Sequence, residues 1–221
     1  MARDCRSGQI LRQNVGIFRI MRHVGFYWTR PVFWASFRQL DPSPEIAAGQ
    51  SRTIRYQRAL VRQWAGRVGA EIVEEVVAME IAPDRASPAL LGDLERALGI
   101  AAQKAARLVL VDFADAHGWR RHGPLWDRLA REDHALISPE PLDLEGAVFD
   151  PVEHFRSWRR ACDAHIATRP EHRALILAAL QDLETLAGPA QAEALNRAGF
   201  RTFTGRIWTA DNLRKFVRIP G

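Results

Sequence analysis

The sequence predicts an α/β fold: a parallel-sheet domain, then helices, then a small helical module at the C-terminal end. Two observations carry this expectation. Leu108-Val-Leu-Val111 is a run of apolar residues without alternation, the pattern of a parallel strand covered on both faces. Around it, strand-like and helix-like stretches alternate, and that order requires right-handed crossovers between parallel strands.

Residues 1–22 show no period and form a basic N-terminal extension, with Met21 a second candidate start of translation. The α/β domain spans 23–145. His23 to Trp28 is its first strand, followed by Thr29-Arg30-Pro31 and a loop through Asp41-Pro42-Ser43-Pro44. Ser51 caps a helix that carries Ile54, Val61, Trp64 and Val68 on one side and stops at Gly69. Glu71 to Val77 is the second strand. Ser87-Pro88 starts a helix with Leu91, Leu94, Leu98 and Ala101 at helical spacing, and Leu108–Val111 follows as the third strand. Gly123-Pro124 opens a helix through Leu125 and Leu129, and Ala135-Leu-Ile137 is the fourth strand.

A helical connector occupies 146–188. Asp150-Pro151 opens one helix with Val152, Phe155, Cys162 and Ile166 inward; past Arg169-Pro170, a second has Ile176, Ala179, Leu180 and Leu183 inward. These helices either link the flanking units or pair two subunits. In the final module, 189–221, Pro189 begins a short helix through Ala190, Ala192 and Leu195, and Gly199 supplies a left-handed stop. The next helix opens at Thr209, whose hydroxyl accepts near Asn212, with Trp208 stapled onto Leu213. Leu213, Phe216 and Val217 fall on one face, and Arg214, Lys215 and Arg218 on the other.

With 221 residues, 47% of them hydrophobic, the chain can bury a core and carry an appendage. No apolar run approaches the roughly 20 residues of a membrane span. Cys5 and Cys162 lie far apart without zinc-type spacing, which implies neither a disulfide framework nor a zinc site and fits a reducing cytoplasm. No cofactor is expected. The net charge of +5 is unevenly placed: 1–22 carries +4, 196–221 carries +5, and the middle −4. A basic tail on a mildly acidic body suits double-stranded DNA, because phosphate neutralisation supplies most non-specific affinity.

Leu195-Asn196, Gly199, Thr202, Gly205 and Trp208-Thr209 resemble the Leu-Asn-x-x-Gly-x-x-Thr-x-x-Gly-x-x-Trp-Thr pattern that closes many serine recombinases, the resolvase, invertase and integrase family. The resemblance implies a helix-turn-helix on duplex DNA, with Arg201, Thr202, Arg206, Thr209, Asn212, Arg214, Lys215 and Arg218 as its DNA-binding residues. It also favours a homodimer paired through the connector. More faintly, Gln57-Arg58 through Trp64, Gly69, Glu71-Ile-Val, Asp84-Arg85 and Ala105 to Leu110 are similar to the family's catalytic domain, and so imply a resolvase-like sheet with Arg85 at a phosphate-binding position.

Two departures matter. The family's first strand reads Tyr-x-Arg-x-Ser, and here Tyr27-Trp-Thr-Arg-Pro31 puts proline where the nucleophile belongs. After the third strand the family has Asp-Arg-Leu-x-Arg, whereas this chain has Asp112-Phe-Ala-Asp115-Ala-His117-Gly-Trp-Arg120. Phosphodiester attack needs a positioned hydroxyl and preorganised positive charge, so the expected protein binds DNA without strand exchange. One alternative keeps recombination, with Thr29 or Ser36 as the nucleophile and Arg30, Arg85, Arg120 and Arg121 on the phosphate. Another uses Asp112, Asp115 and His117 at the end of the third strand to hold a divalent cation for phosphodiester hydrolysis. A last alternative is a protein-docking module whose aromatic run, Phe26 to Phe37, is a surface rather than core.

Overall fold

Each expected strand forms, and all pair in one parallel sheet. The computed structural model describes residues 20–32, 35–80, 88–114 and 123–219. β1 (Met21–Thr29), β2 (Ala70–Met79), β3 (Arg107–Val111) and β4 (His134–Ile137) stand in the order β2-β1-β3-β4, every pairing parallel. The order reverses between β1 and β3, the point at which open α/β sheets form a crevice.

The helices lie on both faces. α2 (Arg52–Val68) starts at Ser51, whose hydroxyl accepts from the Ile54 N–H, and ends at Gly69 in the left-handed region at φ 66°. With the short α1 (Pro44–Gln50) it covers the face carrying Tyr27, Val77, Val109 and Val111. α3 (Pro88–Gln103) and α4 (Gly123–Leu129) cover the other face, against Val24, Phe26, Val76, Leu108 and Leu110. Successive β1 residues thus serve opposite cores, as the pleat requires. Gly25 is needed on the α2 face: a Cβ there would stand 2.4 Å from the Tyr27 hydroxyl, which donates to Glu75 at 3.0 Å. Arg58 and Arg62 both pair with that same Glu75 carboxylate.

Two elements differ from the expectation. The Asp41–Pro44 loop runs directly into α1, where Pro44 is the first helical residue and Ala47 and Ala48 are buried. After β4, β5 (Leu142–Leu144) and β6 (Ala147–Phe149) form an antiparallel hairpin across Glu145 and Gly146, both at positive φ, as a tight hairpin turn requires. Its Phe149 stacks on Tyr56 at 4.5 Å and closes the α2 side of the core.

The connector consists of α5 (Pro151–Ala167), capped by the Asp150 carboxylate, and α6 (Arg169–Gln181). α7 (Gly188–Arg197) and α8 (Ala210–Arg218) follow. α6, α7 and α8 share a third core of Ile176, Leu180, Ala192, Leu195, Trp208 and Leu213, so α6 packs with the C-terminal helices. Four apolar positions depart from the inward faces read in sequence. Val68, Ile166 and Val217 are exposed, Val217 because Leu213 and Phe216 fill the seam. On α3, the fully buried residues are Leu90, Leu94 and Ala97, which leaves Leu91 half-buried at the edge of the stripe. Among the described residues, no helix is long and apolar enough to cross a membrane.

Candidate functional site

The seven motif positions near the C-terminus all act within the scaffold. Leu195 and Trp208 are buried in the third core. Asn196 grips the Trp208 backbone: its Nδ2 donates to the carbonyl and its Oδ1 accepts from the N–H, each at 2.8 Å. Gly199 and Gly205 have φ of 84° and 73°, a region costly to any residue with a Cβ. The Thr202 hydroxyl accepts from the Arg206 N–H at 2.9 Å, and the Thr202 N–H donates to the Arg206 carbonyl, which closes the loop between the helices. Thr209 and Asn212 form a reciprocal capping box at the start of α8.

Several residues expected on DNA are held inside the module instead. The Thr202 hydroxyl, the Thr209 hydroxyl and both ends of the Asn212 carboxamide are committed inside the module, the last also donating to the Ile207 carbonyl. They shape the module rather than reach out of it. Arg201 turns back onto the carbonyls of Asn196 and Phe200 at the end of α7. Arg206, Arg214, Lys215 and Arg218 are exposed cations, Lys215 pairing with Asp211 one turn earlier at 2.7 Å. That lysine holds the Asp211 carboxyl below the usual carboxylate range. Arg173 of α6 caps the far end of α8, donating to the carbonyls of Phe216 and Ile219 while its guanidinium lies over the Phe216 ring.

The second place is the crevice at the β1/β3 reversal. The β1–β3 ladder ends at Gly25 and Val109, and beyond it Trp28, paired with Ala78 of β2, has no β3 residue opposite. Gln57, fully buried on α2, fills the gap: Trp28 N–H donates to its Oε1 at 3.2 Å and its Nε2 donates to the Trp28 carbonyl at 2.8 Å. The strands can therefore part without orphaning a buried backbone group. They open a cavity of about 280 Å³, with Trp28, Phe37, Phe113, Phe155 and Trp158 as aromatic walls. Its polar lining is Thr29, Gln50, Ser51, Thr53, His154, Arg30 and Arg52.

Thr29 is buried, and the Ser51 hydroxyl donates to its Oγ1 at 3.1 Å; Ser51 is itself the cap of α2. Its hydroxyl is thus tied to the framework. Ser36 is exposed in the turn between the bridge residues Val32 and Phe37, at φ 58°. Arg30 lies over Trp158 at 6.0 Å. His154 meets the Thr53 hydroxyl at 3.3 Å, and burial, aided by the Arg52 charge, lowers its pKa. Asp112, buried at the end of β3, accepts from the Ala114 N–H and so caps the turn that follows. Arg85, Asp115, His117, Arg120 and Arg121 lie outside the described residues. Among the described residues no group of three His, Cys, Asp or Glu side chains is placed to hold a metal ion.

Gln57 and Asn196 carry roles that the sequence patterns do not show, and nothing in the sequence marks His154, Trp158 or Arg52 of the crevice as functional. A carboxamide has no sequence signal for gripping a distant backbone, and the crevice residues come from elements scattered between β1 and α5. No family model, curated protein or solved structure matches the chain.

Proposed function

We propose that this chain is a serine-recombinase-like DNA-binding protein that docks its C-terminal three-helix module on duplex DNA as a helix-turn-helix and does not carry out strand exchange. The observation that carries the reading is α8: a helix fixed by a capping box, apolar Leu213 and Phe216 on its inner side, and Arg214, Lys215 and Arg218 exposed on the outside. A rigid helix with a cationic outer face is what phosphate positioning needs. The resolvase-like assignment of the sheet rests on the sequence resemblance together with the parallel order β2-β1-β3-β4.

Against strand exchange stand Pro31 at the nucleophile's place, the engagement of Thr29 with Ser51, and the isolation of Ser36 on a surface turn. The reading is of a cytoplasmic protein that pairs with a second copy through the connector, where Ile166 and Leu175 expose apolar surface. Sedimentation over a range of concentrations checks the homodimer; a mass that stays monomeric removes it.

The test of DNA binding is the salt dependence of affinity for a duplex, measured by fluorescence anisotropy on the full chain. Each phosphate contact adds about 0.9 to the slope of log affinity against log salt, so Arg214→Ala with Lys215→Ala should lower it by nearly two. An unchanged slope excludes this face, and an affinity insensitive to salt excludes the reading.

A further inference from the structure

We infer that the crevice between β1 and β3 binds a planar aromatic anion, a carboxylate or a phosphate monoester, with its ring among Phe37, Phe113 and Trp158 and its charge on Arg52 and the start of α2. Nothing in the DNA reading requires this site. It rests on what surrounds one cavity.

The first observation is the shape. At about 280 Å³ the cavity lies just under the lower end, roughly 300 Å³, of small-molecule sites, and it opens at the sheet's C-terminal edge, where such sites form in parallel α/β folds. The Gln57 clamp pairs both backbone groups of Trp28, a lining residue, and so fixes that wall of the space.

The second is the kind of wall. Aromatic rings give a large flat contact area and favour stacked or edge-on partners, and an aliphatic chain would use neither. Phe113 is already edge-on to Phe155 at 5.1 Å, which leaves a rigid side to the space.

The third is the sign of the charge. Among the described residues, the lining holds Arg30 and Arg52 and no aspartate or glutamate. The first residues of α2 border the same space, and their N–H groups are those a helix leaves without an internal partner, apart from Ile54, which Ser51 takes. His154, bonded to Thr53 and with its pKa lowered in part by Arg52, gives a neutral group that can accept or donate beside that charge. Together these features select a negative head group on a flat ring and reject a cation.

The experiment is calorimetric titration of the full chain with naphthoate, naphthyl phosphate and the cationic naphthylmethylamine. Saturable binding of at least one anion, none of the amine, and a roughly tenfold loss in Arg52→Gln are expected, the loss being of the size a single charge-assisted hydrogen bond gives. The preferred anion tells carboxylate from phosphate. Trp158→Leu, which alters a wall without touching charge, should weaken the anion as well. Absence of saturable heat at millimolar ligand, equal binding of anion and amine, or an Arg52→Gln chain that binds like wild type overturns the inference. Duplex affinity of Arg52→Gln is expected to match wild type, and a parallel loss of both would overturn the site's independence from the DNA face.

Discussion

Asn196 holds Trp208 by both ends of its carboxamide, at 2.8 Å each, across a loop of left-handed glycines and a closed threonine turn. Trp208 precedes the capping residue of α8, so this grip decides where the cationic helix begins. Replacing Asn196 with leucine leaves a half-buried N–H and carbonyl unmatched and should cost about 2 kcal/mol. Near-UV circular dichroism during thermal unfolding reports it, and a midpoint equal to wild type would refute the role.

Gln57 acts on Trp28 in the same way, in full burial. Gln57→Leu keeps the volume but strips both bonds from the Trp28 backbone, so a loss of about 3 kcal/mol is expected in urea unfolding. Gln57→Glu restores one acceptor and no donor, and should not recover the wild-type stability.

Asp211 sits one turn before Lys215 and competes with phosphate for it. Asp211→Asn should therefore raise duplex affinity severalfold at low salt, because a competing charge at contact distance is removed, while slightly weakening the start of the helix. Anisotropy titrations at two salt concentrations decide it; a gain that persists at high salt would not be electrostatic.

His23 is buried on β1, edge-on to Trp64 at 5.0 Å, and among the described residues its Nδ1 has no hydrogen-bond partner. Burial lowers its pKa, as it does that of His154. The unfolded chain then binds more protons than the folded one below about pH 6.5, so stability is full above that value and is lost as pH falls toward the folded pKa values. Unfolding midpoints measured from about pH 7.5 down to about pH 5 should fall, and His23→Gln should flatten the slope. A midpoint that rises on acidification would contradict the burial.

No strand cleavage is expected from the full chain on supercoiled plasmid, with magnesium or without it. A nick lost in Thr29→Val or Ser36→Ala and leaving protein joined to a DNA end would restore the recombinase alternative; a magnesium-dependent nick lost in Asp115→Asn would restore the metal alternative.

The four strands and most helices were legible in the sequence because their signals are local. Ser51 and Gly69 bracket α2, Asp150-Pro151 opens α5, and Leu108–Val111 reads as a doubly covered strand. α1 is harder to read because its prolines also mark loops, although Ser43-Pro44-Glu45 spells a helix start. The β5–β6 hairpin was missed because its strands are only three residues long, and Glu145 adopts positive φ without being glycine or asparagine.

The candidate sites divide differently. At the C-terminus the sequence by itself determined a capped cationic helix, since the Thr209 cap, the Gly199 turn and the apolar stripe are each set by residues a few positions apart. It did not determine the remaining internal bonds: only the packed module commits the Thr202 hydroxyl to Arg206 and the Asn212 carboxamide to the Thr209 N–H and the Ile207 carbonyl. The crevice was decided by tertiary structure alone. It arises where β1 parts from β3 and Gln57 replaces a strand, and its lining comes from β1 and the turn after it, the end of α1, the start of α2, the turn after β3 and α5. Residues more than a hundred positions apart become neighbours there through the order of strands, and that order is fixed by crossover handedness and burial on two faces, not by a pattern along the chain.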